Sequence, residues 1–422
     1  MKIDLLQEAN RCLNCKKPLC KIHCPISTDI PNIINLFKEN KIDEAGEILF
    51  TNNPLSIFCS IVCPHEEQCK GHCIKGIKET PVEFPLIEKE ISTEYLSKLP
   101  LNKKENKKID IAIIGGGPAG ITSAILLAKE GFNVTIFEAF SKLGGVLRFG
   151  IPEFRLSREL MDTFEKYLLN LGIKIKYNTL VGPTHTIQNL KNDDFKYIII
   201  TTGVWNPKPM DIKGETKGNV HYAINYLVSP ESYNLGPNVL VIGGGNVAMD
   251  AARVAKRLGS SVTVMYRRGE EDMPATKVEI AEAKEDGVNF KFYYAPKEIL
   301  DNTMIFLRTE SHTDENGRKK LVTLEDTDIA IPYSSIIVAV SQGPKKNIVS
   351  SEDRISLEKW GTVIVNDNFE TTLENVFSCG DVVTGPKTVV AAVNDAKKVV
   401  TNILKKEEWG FFKFCVNSKK LE

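Results

Sequence analysis

The stretch IDIAIIGGGPAGITSAILLAKEGFNVTIFEAF, residues 109–140, decides the fold of this chain. An apolar run is followed by a glycine-rich turn, a helical segment and a second apolar run. Near-continuous apolar strands around a helix are typical of a β–α–β unit in a parallel sheet covered on both faces. The stretch PNVLVIGGGNVAMDAARVAKRLGSSVTVMYRRG, residues 237–269, repeats this order. The sequence therefore predicts an α/β fold with two Rossmann-like dinucleotide-binding domains.

The first glycine loop has the spacing that binds a dinucleotide. In a GxGxxG turn the missing side chains permit a tight turn, close approach of a pyrophosphate and close helix–strand packing. The helix N-terminus offers N–H groups and partial positive charge to the phosphates. Glu138 ends the second strand, where it can hydrogen-bond ribose hydroxyls. A turn of this kind without a ligand is the alternative, but the complete pattern favours FAD at Gly115, Gly117, Pro118, Ala119 and Gly120.

The second loop has the GxGxxA variant, with Gly243, Gly245 and Ala248. Its second strand ends in Arg267 and Arg268, where the first unit has Glu138. A carboxylate at this position repels a 2′-phosphate, whereas guanidinium groups bind phosphate in bidentate fashion. The alternative is a solvated strand end. The position favours NADPH over NADH.

A third segment, NVFSCGDVVTGPKTVVAAVNDAKKVVTNIL at residues 375–404, completes the predicted flavin site. It reads as a strand, a turn at Gly380 and Asp381, and a helix that begins near Thr388. Asp381 can bind the ribityl chain, and the helix N-terminus can stabilise negative charge at the N1–C2 edge of the flavin. The FAD domain is therefore discontinuous, with the NADPH domain inserted into it.

Eight of the ten cysteines lie in two runs, RCLNCKKPLCKIHCP at residues 11–25 and FCSIVCPHEEQCKGHC at residues 58–73. Disulfides are disfavoured because we expect a cytoplasmic protein, whose thiols stay reduced. Zinc sites usually read C-x2-C twice or with a histidine pair. Cysteines that end in Cys-Pro resemble ferredoxin patterns more closely. The cysteines alone favour iron–sulfur over zinc only modestly.

The segment STDIPNIINLFKENKIDEAGEILF between the two runs predicts two short helices, the first capped by Ser27 or Thr28. We expect residues 1–105 to form a helical domain that bound metal stabilises. The remaining predicted boundaries are 106–232 and 343–422 for the FAD domain and 233–342 for the NADPH domain.

Composition excludes other classes of function. Lys+Arg and Asp+Glu both number 54 in 422 residues, so no basic field suggests nucleic acid or an anionic membrane. No apolar run approaches the roughly 20 residues of a membrane span. The N-terminus MKIDLLQEAN has no signal-peptide core. The predicted NADPH domain has no C-x-x-C pair, which argues against electron transfer from flavin to a vicinal dithiol.

Nearly the whole chain resembles the flavoproteins of the glutamate synthase small-subunit type. Relatives of that family are the N-terminal half of dihydropyrimidine dehydrogenases and the large subunit of NADH-dependent ferredoxin:NADP oxidoreductases. The resemblance rests on both cysteine runs and, in the family's order, on NNPLSIFCSIVCP, GGGPAG, GGVLRFGIPEFRL, GGGNVAMDAA, YRRGEEDMPA and FSCGDVVTGPKTVV. Ser341 departs from it, because the family usually has glycine there.

The resemblance implies two [4Fe–4S] clusters with interleaved ligands. One would be held by Cys12, Cys15, Cys20 and Cys73, and the other by Cys24, Cys63, Cys69 and Glu88. From the residues alone we expect four cysteines per cluster, with Glu88 a surface carboxylate, so Cys59 remains the alternative fourth ligand. The resemblance also implies FAD contacts at Gly145, Val146 and Arg155, and NADPH contacts at Asn246, Val247, Arg267 and Arg268.

The expected function is an oxidoreductase that passes electrons from NADPH through FAD and the clusters to a partner. By resemblance the partner is a glutamate synthase large subunit. The alternatives are a pyrimidine reductase or a ferredoxin:NADP transhydrogenase, with ferredoxin a further candidate partner. A redox-sensing binding protein that uses its cofactors structurally is a third hypothesis, against which the full glycine loops and both arginines argue. The chain starts Met-Lys, without the cysteine nucleophile that glutamine hydrolysis needs, so we expect no glutamate production by this chain alone. The sequence assigns no catalytic side chain.

Overall fold

A computed structural model describes residues 3–313, 319–346, 352 and 354–418. Within them, the chain divides into two compact units. The first comprises the described residues of Met1–Leu147, Arg155–Val204 and Gly343–Glu422. The second comprises Arg148–Phe154 and Trp205–Gln342.

The first unit begins with a helical region that contains both cysteine runs. Its core is formed by buried apolar side chains such as Ile33, Leu49, Ile87 and Ile91. The predicted pair of helices between the cysteine runs is present. The predicted cap is wrong, because Asp29 occupies the N-cap position of the first of these helices. Ser27 has a φ of 52°, and the Thr28 hydroxyl accepts a hydrogen bond from the Asn52 amide. The helices are α1 Leu5–Asn10, α2 Leu19–Ile22, α3 Ile30–Lys38, α4 Ile42–Asn52, α5 Ser56–Val62 and α6 Phe84–Leu96, with a 3-10 turn at Ile74–Ile77.

The first unit continues with a parallel five-stranded sheet in the order β16-β4-β1-β2-β3. Its central strands are buried after their first residue in β1 and β2 and throughout in β4, as in a parallel sheet with covered faces. The strands are β1 Asp110–Ile114, β2 Asn133–Phe137, β3 Lys174–Lys176, β4 Tyr197–Ile200 and β16 Val376–Ser378. The accompanying helices are α7 Pro118–Lys129, α9 Arg158–Asn170, α10 Ile187–Asn192, α14 Asp381–Thr384 and α15 Val389–Ser418, together with the first two residues of α8 Val146–Phe149.

The second unit has its own parallel sheet, in the order β6-β14-β7-β8-β9. These strands are β6 Val220–Tyr222, β7 Asn238–Ile242, β8 Ser261–Tyr266, β9 Asn289–Phe292 and β14 Ser335–Val338. The helices are α11 Ala223–Tyr226, α12 Asn246–Arg257 and α13 Lys277–Glu285. An antiparallel sheet follows, made of β10 Tyr294–Ile299, β11 Thr303–Thr313, β12 Lys319–Thr323 and β13 Ile329–Pro332. Two-residue strands lie at β5 Asn206–Pro207 and β15 Gln342–Gly343.

Corresponding strands of the two parallel sheets pair in the same register. Asp110 of β1 pairs with Asn133 of β2, and Asn238 of β7 pairs with Ser261 of β8, in each case at the first residue of the strand. The third strand is added on the same side, through β4 in one sheet and β14 in the other. The predicted fold class, two Rossmann-like domains of which one is discontinuous, preceded by a helical region, is therefore confirmed. The domain boundaries stay a prediction.

None of the helices in the described part of the chain combines the length and apolar character that a bilayer crossing requires.

Candidate functional site: two nucleotide loops and two cysteine sets

The outer glycines of the first loop are required by the protein's own backbone. A Cβ on Gly115 would lie 2.7 Å from the Thr201 carbonyl oxygen, and a Cβ on Gly120 would collide with the carbonyl oxygen of Gly115. The middle glycine differs, because a Cβ on Gly117 would meet nothing nearer than the Cα of Gly145, at 3.8 Å. Its space is free of protein atoms and lies at the N-terminus of α7. The loop therefore fits a pyrophosphate.

Glu138 is buried at the end of β2, with 5% of its surface exposed. One carboxylate oxygen accepts the Gly116 N–H at 2.8 Å, and the other accepts the Phe140 N–H at 2.8 Å. Burial raises the pKa of this carboxyl group, and the backbone N–H groups oppose the rise. A carboxylate has about four lone-pair sites, so acceptor capacity remains for ribose hydroxyls.

The third segment lies against the first glycine loop. A Cβ on Gly380 would be 3.0 Å from the Cβ of Ala119, near the start of α7. Asp381 accepts the Lys387 N–H at 3.2 Å, and burial raises the pKa of its carboxyl group to about 7. The expected turn is a short helix, α14, and Thr388 caps α15 by accepting the Ala391 N–H. Gly380 follows Gly120 by 260 positions in the sequence (380 minus 120), so the folded chain brings two distant segments together.

Of the residues in the GGVLRFGIPEFRL stretch, Gly145 contacts the loop directly. A Cβ on Gly145 would lie 2.8 Å from the Cα of Gly117. Val146 begins α8, and Arg155 is half-buried in the segment before α9. The structure therefore places Gly145 and Val146 at the predicted flavin loop.

The second loop has the same arrangement of glycines as the first, with other residues around them. A Cβ on Gly243 would collide with the Ala339 carbonyl oxygen, whereas one on Gly245 would meet only Pro274, at 3.9 Å. Asn246 begins α12 and accepts the Thr276 N–H at 3.1 Å, and Val247 is half-buried beside it. Space for a pyrophosphate is again left at the middle glycine.

Arg267 and Arg268 follow β8 and differ from Arg253 and Arg257 of α12. Arg267 is exposed and Arg268 is half-buried. Among the residues that the structure describes, no carboxylate lies within ion-pair distance of either guanidinium. Arg253 and Arg257, by contrast, both pair with Asp286, at 2.7 and 2.9 Å. Two unpaired guanidinium groups at the end of this strand fit an anionic ligand.

The outer cysteine set, defined as Cys12, Cys15, Cys20 and Cys73, lines one cavity. Cys73 comes from the second run in the sequence, so the two runs are interleaved in space. All four side chains are half-buried, and burial raises the pKa of the Cys20 thiol to about 11. Cys69 lines the same cavity.

The inner cysteine set, defined as Cys24, Cys63 and Cys69, is associated with Glu88 of α6. Glu88 is buried, with 7% of its surface exposed, and is therefore not a surface carboxylate. Burial raises its pKa, and its charge raises the pKa of the Cys69 thiol after the larger effect of burial. Buried thiols with a raised pKa become thiolates when a metal binds.

Nowhere in the described chain do three His, Cys, Asp or Glu side chains come close enough together to hold one metal ion. Four thiols around one cavity are a ligand set that either a four-iron cubane or a zinc ion can take. Cys59 is hydrogen-bonded to the Cys63 thiol, so it stays a candidate ligand beside Glu88.

A hydrogen-bonded chain joins the inner set to the C-terminal helix of the same unit. The ammonium of Lys397 in α15 donates to the Asn52 carbonyl oxygen at 2.8 Å and to its side-chain oxygen at 2.6 Å. The Asn52 amide donates to the Thr28 hydroxyl at 3.2 Å, and the Cys24 thiol donates to that hydroxyl at 3.3 Å. The sequence offered no signal for this link, because Lys397 and Asn52 are 345 residues apart.

Comparisons with known proteins agree with this geometry. The pyridine nucleotide-disulphide oxidoreductase family matches residues 109–396, and dihydropyrimidine dehydrogenase domain II, 4Fe-4S cluster, matches residues 2–98. The glutamate synthase [NADPH] small chain of Escherichia coli is 30% identical, over 94% of this chain and 90% of the relative. The protein of the same name from Azospirillum brasilense is 28% identical, over 94% and 88%.

A solved structure, Mycobacterium tuberculosis FprA in complex with NADPH, has the same fold over 72% of this chain and 86% of its own, with a TM-score of 0.60 at 18% identity. The loops, the cysteines and these matches define a dinucleotide-dependent flavin and iron–sulfur oxidoreductase. The chain belongs to the pyridine nucleotide-disulphide oxidoreductase family, in the group that contains the small chains of glutamate synthase. It is an NADPH-dependent oxidoreductase with an FAD/NADP-binding region and a 4Fe–4S domain.

Proposed function

We propose that this chain is the electron-input component of a glutamate synthase-type enzyme, with a large subunit as its partner. The observation that carries the proposal is the order of the sites within the first unit. The inner cysteine set is linked through Asn52 to α15, which starts beside the predicted flavin site. Cys69 borders the cavity of the outer set, whose members are half-buried. This order supports a path from flavin to inner set, outer set and partner.

When bound, FAD supplies hydride acceptance from NADPH, and iron–sulfur clusters supply one-electron transfer. The chain's own residues supply the binding and orientation. Gly117 leaves room for the FAD pyrophosphate, and Glu138 accepts from the ribose. Gly245 leaves room for the NADPH pyrophosphate, and Arg267 and Arg268 bind the 2′-phosphate.

We further propose two [4Fe–4S] clusters. The outer set holds one through four cysteines. Cys24, Cys63, Cys69 and Glu88 hold the other, since Glu88 is buried and its charge acts on the Cys63 and Cys69 thiols. Lys397 donates into this region without a carboxylate partner in the described chain, and its positive charge offsets the negative charge of a thiolate-ligated cluster.

A second candidate function is electron transfer to a pyrimidine reductase or a ferredoxin:NADP transhydrogenase. The match of residues 2–98 to a dihydropyrimidine dehydrogenase domain favours it. Both candidates use the same internal path and differ only in the partner. Glutamate formation from glutamine and 2-oxoglutarate with one partner, or dihydropyrimidine formation with the other, distinguishes them.

Metal analysis tests the cluster assignment. Anaerobically purified protein should contain about eight iron and eight sulfide per chain, as two cubanes require. Cys59→Ser should keep both clusters, and Cys63→Ser should lose one. Stoichiometric zinc without iron contradicts the cluster proposal, and equal iron loss in the two variants contradicts the choice of Glu88.

Steady-state kinetics test the electron path. The isolated chain should oxidise NADPH rapidly with ferricyanide, without forming glutamate or dihydropyrimidines. Cys12→Ser or Cys15→Ser should abolish partner-dependent turnover and leave reduction of FAD by NADPH largely intact, because only export requires the outer set. Partner activity that survives loss of the clusters would refute the path.

A further inference from the structure

Large apolar side chains surround the outer cysteine set and face solvent. Leu13, Leu19 and Ile74 line the same cavity as the cysteines and are 57%, 37% and 37% exposed. Isolated exposed apolar residues are ordinary on protein surfaces. Three around one cavity, beside predicted electron-transfer ligands, form a local patch.

Two further apolar residues extend this patch. Ile22 lies three residues after Leu19 on α2, and Ile77 lies three after Ile74 on the 3-10 turn. Residues three apart share a face on both kinds of helix. Ile22 is 61% exposed and Ile77 is 77% exposed. We call these five side chains, Leu13, Leu19, Ile22, Ile74 and Ile77, the apolar face.

Unpaired positive charge borders the apolar face. Lys16, Lys17 and Lys78 are exposed, and no carboxylate of the described chain lies within ion-pair distance of them. Other lysines nearby are neutralised: Lys21 pairs with Asp29 at 3.1 Å, and Lys75 with Glu79 at 2.9 Å. Residues 11–25 contain one arginine and three lysines but no acidic residue. The excess charge around this face is positive, although the whole chain is neutral.

From these contacts and charges we propose that the apolar face is the docking site for the partner protein that accepts single electrons, and that the partner's own docking surface is acidic around an apolar centre. The proposal rests on the proposed function, because it names the kind of partner that receives electrons from the outer set. Carboxylates of the partner approach Lys16, Lys17 and Lys78, which steer the encounter. Apolar side chains then exclude water at the centre, close to the cysteines.

Two soluble acceptors of opposite charge test this proposal on the cofactor-loaded chain: an acidic blue-copper protein and a basic c-type cytochrome. Each NADPH oxidised yields NADP⁺, one proton and two electrons, which reduce two Cu(II) to Cu(I) or two ferric haems to ferrous. At low salt the acidic acceptor should be reduced roughly tenfold faster than the basic one, and salt should remove the difference.

The variant Lys16→Glu with Lys17→Glu should reverse this preference. The control Lys38→Glu with Lys89→Glu changes charge equally elsewhere in the helical region and should preserve it. Ile77→Ser should lower the rate with the acidic acceptor several-fold even at high salt, since it removes apolar contact. Faster reduction of the basic acceptor at low salt, or no response to the Lys16 and Lys17 reversal, overturns the docking proposal.

Ferricyanide reduction in the same preparations separates the two hypotheses. Failure of the unaltered chain to reduce ferricyanide counts against the proposed function itself. Normal ferricyanide reduction without charge selectivity toward the two proteins counts only against the docking face.

Discussion

The two β–α–β units share one backbone plan and differ at the end of the second strand. Both begin β-strand pairing at equivalent positions, and both keep the middle glycine clear of protein atoms. In the first unit, Glu138 turns inward and accepts two backbone N–H groups. In the second, Arg267 and Arg268 lie unpaired near the surface, as far as the structure describes it. One scaffold thus presents a buried carboxylate in the first unit and, among the described residues, unpaired cations in the second.

The comparison separates the features that the fold requires from those that we propose to serve the ligands. The outer glycines, Gly115 and Gly120, and Gly243 in the second unit, are needed because carbonyl oxygens crowd them. The protein backbone imposes no such requirement at the middle glycines or at the strand-end residues. Substitutions at the second kind of position should change binding and leave folding intact.

The largest expected effect is loss of one cofactor at a time. Gly117 and Gly245 have φ values of −84° and −92° in extended backbone, which valine adopts readily. Gly117→Val should therefore give folded protein without FAD. Gly245→Val should keep FAD and fail to be reduced by NADPH. Flavin absorbance and stopped-flow reduction measure the two effects.

Unfolded protein in either valine variant, shown by circular dichroism, contradicts the view that these glycines serve the ligand. Loss of both cofactors in each variant contradicts the assignment of separate loops.

The next largest effect concerns coenzyme choice. The double variant Arg267→Ala with Arg268→Ala should weaken the binding of NADPH by roughly 2–4 kcal/mol, if the contributions of two charge-assisted bonds of about 1.5–3 kcal/mol each partly overlap. This corresponds to a rise of about 30-fold to 1,000-fold in the Michaelis constant for NADPH, with little change for NADH. Arg257→Ala is the control, because Asp286 already pairs with that arginine. Equal losses with both coenzymes would assign the two arginines another role.

A smaller effect is expected at Glu138. Glu138→Gln keeps the volume and replaces one acceptor oxygen by a donor, so either the Gly116 or the Phe140 N–H loses its partner. We expect FAD affinity to fall by about 1–2 kcal/mol, since one buried hydrogen bond is lost. Equilibrium dialysis of FAD against the apoprotein measures this fall. Glu130→Gln, at the C-terminal end of the helix after the same loop, should leave the affinity unchanged.

The smallest effect should appear in stability, at a pair of equivalent turns. Gly203 lies two residues after Thr201 and has a φ of 65°, and Ser341 lies two residues after Ala339 and has a φ of 126°. Side chains disfavour this backbone, at a cost on the order of 1 kcal/mol or more. Ser341→Gly should therefore stabilise the protein by about 1 kcal/mol, and Gly203→Ser should destabilise it by a similar amount. Thermal unfolding of the two variants tests whether their stabilities change in opposite directions. A lower melting temperature for Ser341→Gly would contradict the proposal that the backbone of Ser341 is strained.

Much of the candidate site could be predicted because its signals are local. The spacing of Gly115, Gly117 and Gly120 after an apolar strand predicts a nucleotide loop without reference to distant residues. Other features could not be found in this way. Reasoning from the residues alone made Glu88 a surface carboxylate, yet it is buried in α6, and its charge acts on the Cys63 and Cys69 thiols. Ser27 or Thr28 was expected to cap α3, but Thr28 instead receives hydrogen bonds from Asn52 and Cys24.

The sequence by itself determined the fold class, the two nucleotide loops and the family, because apolar periodicity, glycine spacing and charge are properties of short segments. Only the tertiary structure decided which cysteines share a cavity, since Cys73 reaches Cys12 across 61 residues (73 minus 12). It also decided that Lys397 meets Asn52 and that Ser341 takes a backbone suited to glycine. The physical reason is that such contacts depend on how whole helices and strands pack, which the spacing of residues within one segment does not specify.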